Sequence, residues 1–113
     1  MMEKENKILY LFGFSPNKGM QLENLIKVIA EQVDTFEVSL VLLHDGVIGL
    51  SNKGILPKTF NNLFALPIKI YALIPDVKAR GINIEDINNR VSCIDYDELV
   101  DLLSEIPRIA SWM

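Results

Sequence analysis

The sequence predicts an α/β protein: a single three-layer α/β/α domain around a mostly parallel sheet of four to five strands. Three observations carry that reading. Four short apolar runs recur along the chain, at residues 8–14 (ILYLFGF), 36–43 (FEVSLVLL), 68–73 (IKIYAL) and 91–94 (VSCI). The first is almost continuously apolar and the second becomes so after Ser39, which suits strands buried on both faces better than half-exposed alternating ones. Helical patterns alternate with these runs, and such alternation puts helices on the faces of a sheet through right-handed crossovers. The 113 residues are half hydrophobic, enough for one domain with one real core and too apolar for a disordered chain.

Each element has its own signature. A polar extension over residues 1–7 precedes the domain, which runs from 8 to 113. After the first run, Leu22, Leu25, Ile26, Ile29 and Val33 repeat at three- and four-residue spacing and form one stripe of a helix from about 20 to 33. A short helix fits residues 58–65, bounded by Pro57 and Pro67. Another begins at Pro75, a suitable first helical position, and ends at Gly81. In the last helix Leu99, Leu102, Leu103 and Ile106 share one face. Asp95 and Glu98 form a capping pair at its start, and Pro107 stops it. Beyond it, Ile109, Ala110, Trp112 and Met113 are too apolar for a free tail, so they either cover the core or meet a partner subunit. No repeat, linker or low-complexity tract interrupts the pattern.

Composition excludes several function classes. Eleven basic and fifteen acidic residues give a net charge of −4, against direct nucleic-acid binding, which needs clustered Lys and Arg. One cysteine and one histidine exclude a disulfide framework and a cysteine-rich zinc site, and no metal or other cofactor is expected. The run at 8–14 is shorter than a membrane span and no small-residue cleavage site follows it. A cytoplasmic protein without membrane attachment is the expectation.

In parallel sheets, ligands sit beyond the carboxyl ends of the strands. Residues 15–19 (SPNKG), 44–46 (HDG) and 74–76 (IPD) are expected to gather there. Ser15 to Gly19 precedes a helix, so backbone N–H groups and Lys18 could hold an anion; the segment lacks P-loop and GxGxxG spacing and also reads as a plain turn. His44 and Asp45 are the only histidine–carboxylate neighbours, but adjacent strand residues point to opposite faces, and Asp45-Gly46 is an ordinary turn pair. Cys93 lies in a short predicted strand beside Asp95 and Asp97, which disfavour a thiolate; the expectation is an inert, buried thiol. Asp95, Asp97, Glu98, Asp101 and Glu105 read as the solvated face of the last helix rather than a metal site. A phosphorelay receiver needs an acidic pair after its first strand, and Ser15-Pro16-Asn17 stands there instead.

Several of these pieces fall in an order that resembles the TusB/DsrH family. Residues 9–14 followed by Ser15-Pro16 are similar to its first strand and Ser-Pro step. Leu42-Leu43-His44-Asp45-Gly46-Val47 resembles its second strand and Asp-Gly-Val signature. Residues 67–73, including Tyr71, followed by Asp76 and Ala79-Arg80-Gly81-Ile82, continue the pattern. Ile94-Asp95-Tyr96 with Leu99-Val100 is similar to the final strand-to-helix junction, and Pro107 and Trp112 echo its tail. The likeness runs from Leu9 to Trp112.

The resemblance implies the DsrE/DsrF/DsrH fold and a place in a cytoplasmic sulfur relay. That relay serves either 2-thiouridine formation at the tRNA wobble position or sulfur oxidation. It implies DsrE-like and DsrF-like subunits as partners in a hetero-oligomer, with self-association as a further possibility. The departures are specific. In DsrE-like subunits the active cysteine stands after the third strand, near the start of the next helix; here Ile74-Pro75-Asp76-Val77 occupies that region. Some DsrH members carry a cysteine on the helix after the first strand, and residues 15–33 contain none. Tyr10 replaces the family's frequent early histidine, and residues 48–62 fit the pattern poorly. The implied role is therefore structural or regulatory, with no catalytic residue. Ser15, Pro16, His44, Asp45, Gly46, Tyr71, Asp76, Arg80, Gly81, Asp95, Tyr96 and Trp112 are the motif, strand-end and candidate interface residues, and Cys93 is the thiol to test. The alternative is a small flavodoxin-like domain that binds an anionic metabolite or nucleotide.

Overall fold

The computed structural model describes residues 6–16 and 19–113. One five-stranded sheet has the order β4-β3-β2-β1-β5, with every neighbouring pair parallel. The strands are β1 Lys7–Phe12, β2 Glu37–Leu42, β3 Lys69–Leu73, β4 Val91–Ile94 and β5 Arg108–Trp112. The helices are α1 Gln21–Gln32, α2 Lys58–Phe64, α3 Ile74–Ala79 and α4 Tyr96–Glu105. All four apolar runs are strands and all four helical patterns are helices, within a residue or two at their ends.

Alternation along each strand divides the core in two. Ile8, Tyr10 and Phe12 of β1 face one side, where Leu22, Leu25 and Ile29 of α1 and Phe60 and Leu63 of α2 close over them. Phe12, Leu25, Ile29, Phe60 and Leu63 have no exposed surface. Burial of each such side chain contributes about 1.5–3 kcal/mol. Leu9 and Leu11 face the other side with Val41, Leu43, Leu73 and Ile94, where α4 is the covering helix. Its Leu99, Leu102 and Leu103 are only partly buried.

Local chemistry sets the element ends. The Asp95 carboxylate accepts the Glu98 N–H at 2.9 Å, and Glu98 returns a bond from the Asp95 N–H at 3.1 Å, so the predicted capping box opens α4. Tyr10 is buried and its hydroxyl donates to Gln32 Oε1 at the end of α1. Desolvation pushes its phenol above the usual tyrosine value, and the Gln32 bond only partly offsets this.

Three expectations need correction or qualification. The apolar tail covers the core through Ala110 and Trp112, and it does so as the fifth strand, with Ile8 through Phe12 paired to Arg108 through Trp112. Lys7 already belongs to β1, so the strand begins inside the polar extension, whose residues 1–5 lie outside the described residues. The atypical stretch 48–62 is stitched to residues 84–88: Ser51 bridges Ile87, the Asn52 N–H donates to the Asp86 carbonyl at 2.6 Å, and the Asn88 N–H to that of Leu50 at 3.1 Å.

Candidate functional site

The carboxyl ends of β1, β2 and β3 form a rim, and the segments expected there do meet. After β2 the chain makes a 3₁₀ turn, His44–Val47, that lies against α3. His44 takes a left-handed backbone, φ 50°, an uncommon and costly conformation outside glycine. Its N–H donates to Asp76 Oδ2 at 2.7 Å, which holds the turn in place. Arg80 reaches back from the end of α3 and donates from Nε and Nη2 to Asp45 Oδ1, at 3.2 and 3.0 Å. Its Nη1 also donates to the Asp76 carbonyl at 3.3 Å and lies 4.0 Å from the Asp76 carboxylate. One guanidinium thus joins two carboxylates from elements more than thirty residues apart.

Two glycines make the rim possible. A Cβ on Gly46 would stand 2.6 Å from the Phe12 carbonyl oxygen, so only glycine permits this approach of the turn to β1. A Cβ on Gly13 would crowd His44 Cδ2 and Met113 Cγ, both at 3.2 Å, and its absence lets those side chains converge over the strand end. The Gly13 N–H donates to the Trp112 carbonyl at 3.0 Å and extends the pairing with β5 to the rim.

Beside the latch lies an open cavity of about 290 Å³ lined by Phe14, Ser15, Gly19, Gln21 and Asp45. Ser15, Gly19 and Asp45 were expected at this end; Phe14 and Gln21 complete the wall. The Asp45 carboxylate on that wall opposes an anionic ligand, which weighs against the metabolite alternative. Lys18 and Asn17 of the proposed anion loop lie outside the described residues. Pro16 is buried.

The other motif residues stand apart from this cluster. Tyr71 packs half-buried against the second face of the sheet. Gly81 ends α3 with φ 71°, its N–H donating to the Lys78 carbonyl. Asp95 caps α4, and Tyr96 is exposed in its first turn. Trp112 packs against the first face.

Cys93 on β4 pairs with Ala72 on β3 and packs against the first face. It is half-buried rather than buried. Desolvation raises its thiol above the ordinary cysteine value: of the two grounds read from the sequence, burial is the cause and the neighbouring acids are not. No group of three or more His, Cys, Asp or Glu converges as a metal site among the described residues. No helix there is long and apolar enough to cross a membrane.

Chemically, the rim is an ionic latch with its charges engaged, and it bears no thiol. Asp76 sits near the start of α3, where the resemblance places the active cysteine of DsrE-like subunits.

Comparison with known proteins decides the family. The model of the DsrH-like protein family matches residues 14–108. A TusB protein of Pectobacterium atrosepticum is 40% identical over 105 residues, covering 93% of this chain and all of that protein. The chain belongs to the TusB/DsrH family. A second TusB protein, from Pectobacterium parmentieri, is 42% identical over 74 residues, 66% of this chain and 74% of its own. The fold of this TusB/DsrH-family chain is also that of the YchN protein of Escherichia coli, whose crystal structure superposes with a TM-score of 0.77 over 95% of this chain and 99% of that one, at 16% identity.

Proposed function

We propose that this chain is a non-catalytic, structural or regulatory subunit of a cytoplasmic sulfur-relay complex. Its partners are DsrE-like and DsrF-like subunits, and its relay serves tRNA wobble thiolation or sulfur oxidation. Membership in the TusB/DsrH family supports the coarse part, a sulfur-relay subunit. The observation that carries the non-catalytic part is Asp76. A carboxylate that accepts the His44 N–H and faces Arg80 lies in the region to which the resemblance assigns the active cysteine of DsrE-like subunits, which supports the non-catalytic reading. The chain's single cysteine is elsewhere, on β4, with its thiol pushed above the ordinary cysteine value by burial.

The test is a persulfide-loading assay on the reconstituted complex. The chain is mixed with DsrE-like and DsrF-like subunits from the same organism, a cysteine desulfurase supplies sulfur, and intact mass is read for every subunit. Sulfur is expected on a partner and absent from this chain. Sulfur on this chain that disappears in Cys93→Ser would make it a carrier and overturn the assignment.

A further inference from the structure

Six large hydrophobic side chains are markedly exposed among the described residues, and four of them belong to one region. Tyr96 and Val100 on α4 are 57% and 56% exposed, and Ile109 and Met113 at β5 are 44% and 58% exposed. Register places Ile109 opposite Leu9, which faces the side of the sheet under α4; Met113, four residues on, shares that face.

The helix points the same way. Glu98, Asp101 and Leu102 line a cavity of about 240 Å³ with Tyr71 and Ile94, so that flank of α4 looks toward β3 and β4. At about 100° per residue, Tyr96 and Val100 lie on the opposite flank, turned toward β1 and β5. The result is an apolar patch between one flank of α4 and the outer strand. Among the described residues β5 pairs only with β1, so the patch borders a sheet edge that none of them covers. Such an edge, with exposed apolar side chains, is a surface that folded proteins normally cover.

Charge selects the occupant. Asp97, the acid on α4 that adjoins the Tyr96/Val100 flank, is exposed and makes no ion pair among the described residues, and Asp101 and Glu105 continue the exposed acidic row away from the patch. At the amino ends of β1 and β5 the cations are already engaged: Lys7 pairs with Glu37 at 3.5 Å, and Arg108 stacks over the Phe36 ring, 5.2 Å from its centroid. An isologous pair of copies would present the same acids to each other across a two-fold axis. We infer that the Tyr96/Val100 flank of α4, with Ile109 and Met113, docks a different protein chain whose contact surface is apolar and bordered by Lys or Arg. The inference deepens the sulfur-relay reading and rests on it for the source of that chain.

The test uses the full chain with purified DsrE-like and DsrF-like subunits and compares wild type, Val100→Asp/Ile109→Asp and the control Ile55→Asp. Ile55 is 96% exposed and lies in the loop before α2, away from the patch. Binding is measured by titration at two salt concentrations, and thermal melts check that each variant is folded. The patch variant is expected to lose affinity by about tenfold or more, the control to keep it, and wild-type binding to weaken with salt. Should the patch variant fail to fold, Asp97→Lys provides the independent arm, with an expected loss of about tenfold. Undiminished binding by a folded patch variant, or by the charge variant, overturns the surface while leaving the relay reading intact. A wild-type chain that binds neither subunit overturns the relay reading and the partner with it. A dimer of the chain alone that Ile109→Asp abolishes hands the face to a second copy and overturns the different-chain assignment.

Discussion

The two faces of the sheet are finished to different degrees. On the first, α1 and α2 bury Phe12, Leu25, Ile29, Phe60 and Leu63 without exposed surface. On the second, α4 crosses the sheet with no fully buried residue of its own, and Tyr96 and Val100 remain open to solvent. Both helices α1 and α4 are amphipathic, so the difference is not one of pattern. It lies in how many elements share the covering: a parallel sheet needs both faces closed, and among the described residues the chain supplies several segments for one and a single ten-residue helix for the other. The first face holds the fold together, and the second is where completion from outside is physically favoured.

The largest expected effect breaks this comparison if it is absent. Phe60→Ala should destabilise by about 3–5 kcal/mol, because the cavity it leaves lies among side chains that cannot relax into it. Leu102→Ala on α4 should cost only about 1–2 kcal/mol, since its side chain is partly in water already. Urea unfolding of the isolated chain measures both. Equal losses would mean that α4 is packed as tightly as α1, and the distinction between the faces would fail.

The asymmetry also explains what was legible. Runs buried on both faces are continuously apolar, so β1 to β3 stand out in the sequence even without alternation. The last helix announces itself through Asp95 and Glu98, a local device that needs no knowledge of the rest of the chain. β5 escaped recognition as a strand because RIASW sits at an edge: Arg108, Ile109 and Ser111 are exposed, and its pattern is that of a tail with something to cover. The rim was legible as a place, through the rule that strand ends gather. Its latch was not, because Asp76 and His44 are 32 residues apart and Arg80 and Asp45 are 35 apart. Neither does composition reveal that His44 takes a left-handed backbone. Gly13 carried a faint signal as the one glycine inside an apolar run, which marks a close approach of other atoms.

A second prediction concerns the latch, which closes the carboxyl end of the well-covered side through α3 and its buried Val77. Asp76→Ala removes the acceptor for the His44 N–H and one of the two carboxylates beside Arg80. A loss of about 1–3 kcal/mol is expected. Asp76→Asn keeps an acceptor oxygen and should recover part of it. Thermal or urea unfolding separates the two variants. If Asp76→Ala is neutral, the strained turn is held by Gly46 and its approach to Phe12 rather than by the carboxylate, and the latch has no structural weight.

The smallest effect sharpens the comparison within a single strand. Ser92 and Cys93 are neighbours on β4 and point to opposite faces: Ser92 is exposed on the side of Tyr71, its register partner, while Cys93 packs against the closed core. Alkylation rates are to be measured for wild type and for Ser92→Cys/Cys93→Ser. Only the thiolate reacts, and burial holds the Cys93 thiol above its ordinary value. Wild type should therefore react more slowly at mildly alkaline pH, and its rate should rise at higher pH than that of the variant. The sign for stability follows from the same shift. With its folded value raised, the thiol's contribution is fully present below its unfolded value and is lost as pH climbs through the folded one, so unfolding at alkaline pH should be eased more in wild type than in Cys93→Ser. Equal rates and equal pH profiles at the two positions would mean that β4 is open on both sides, which would leave the closed face without its outer strand.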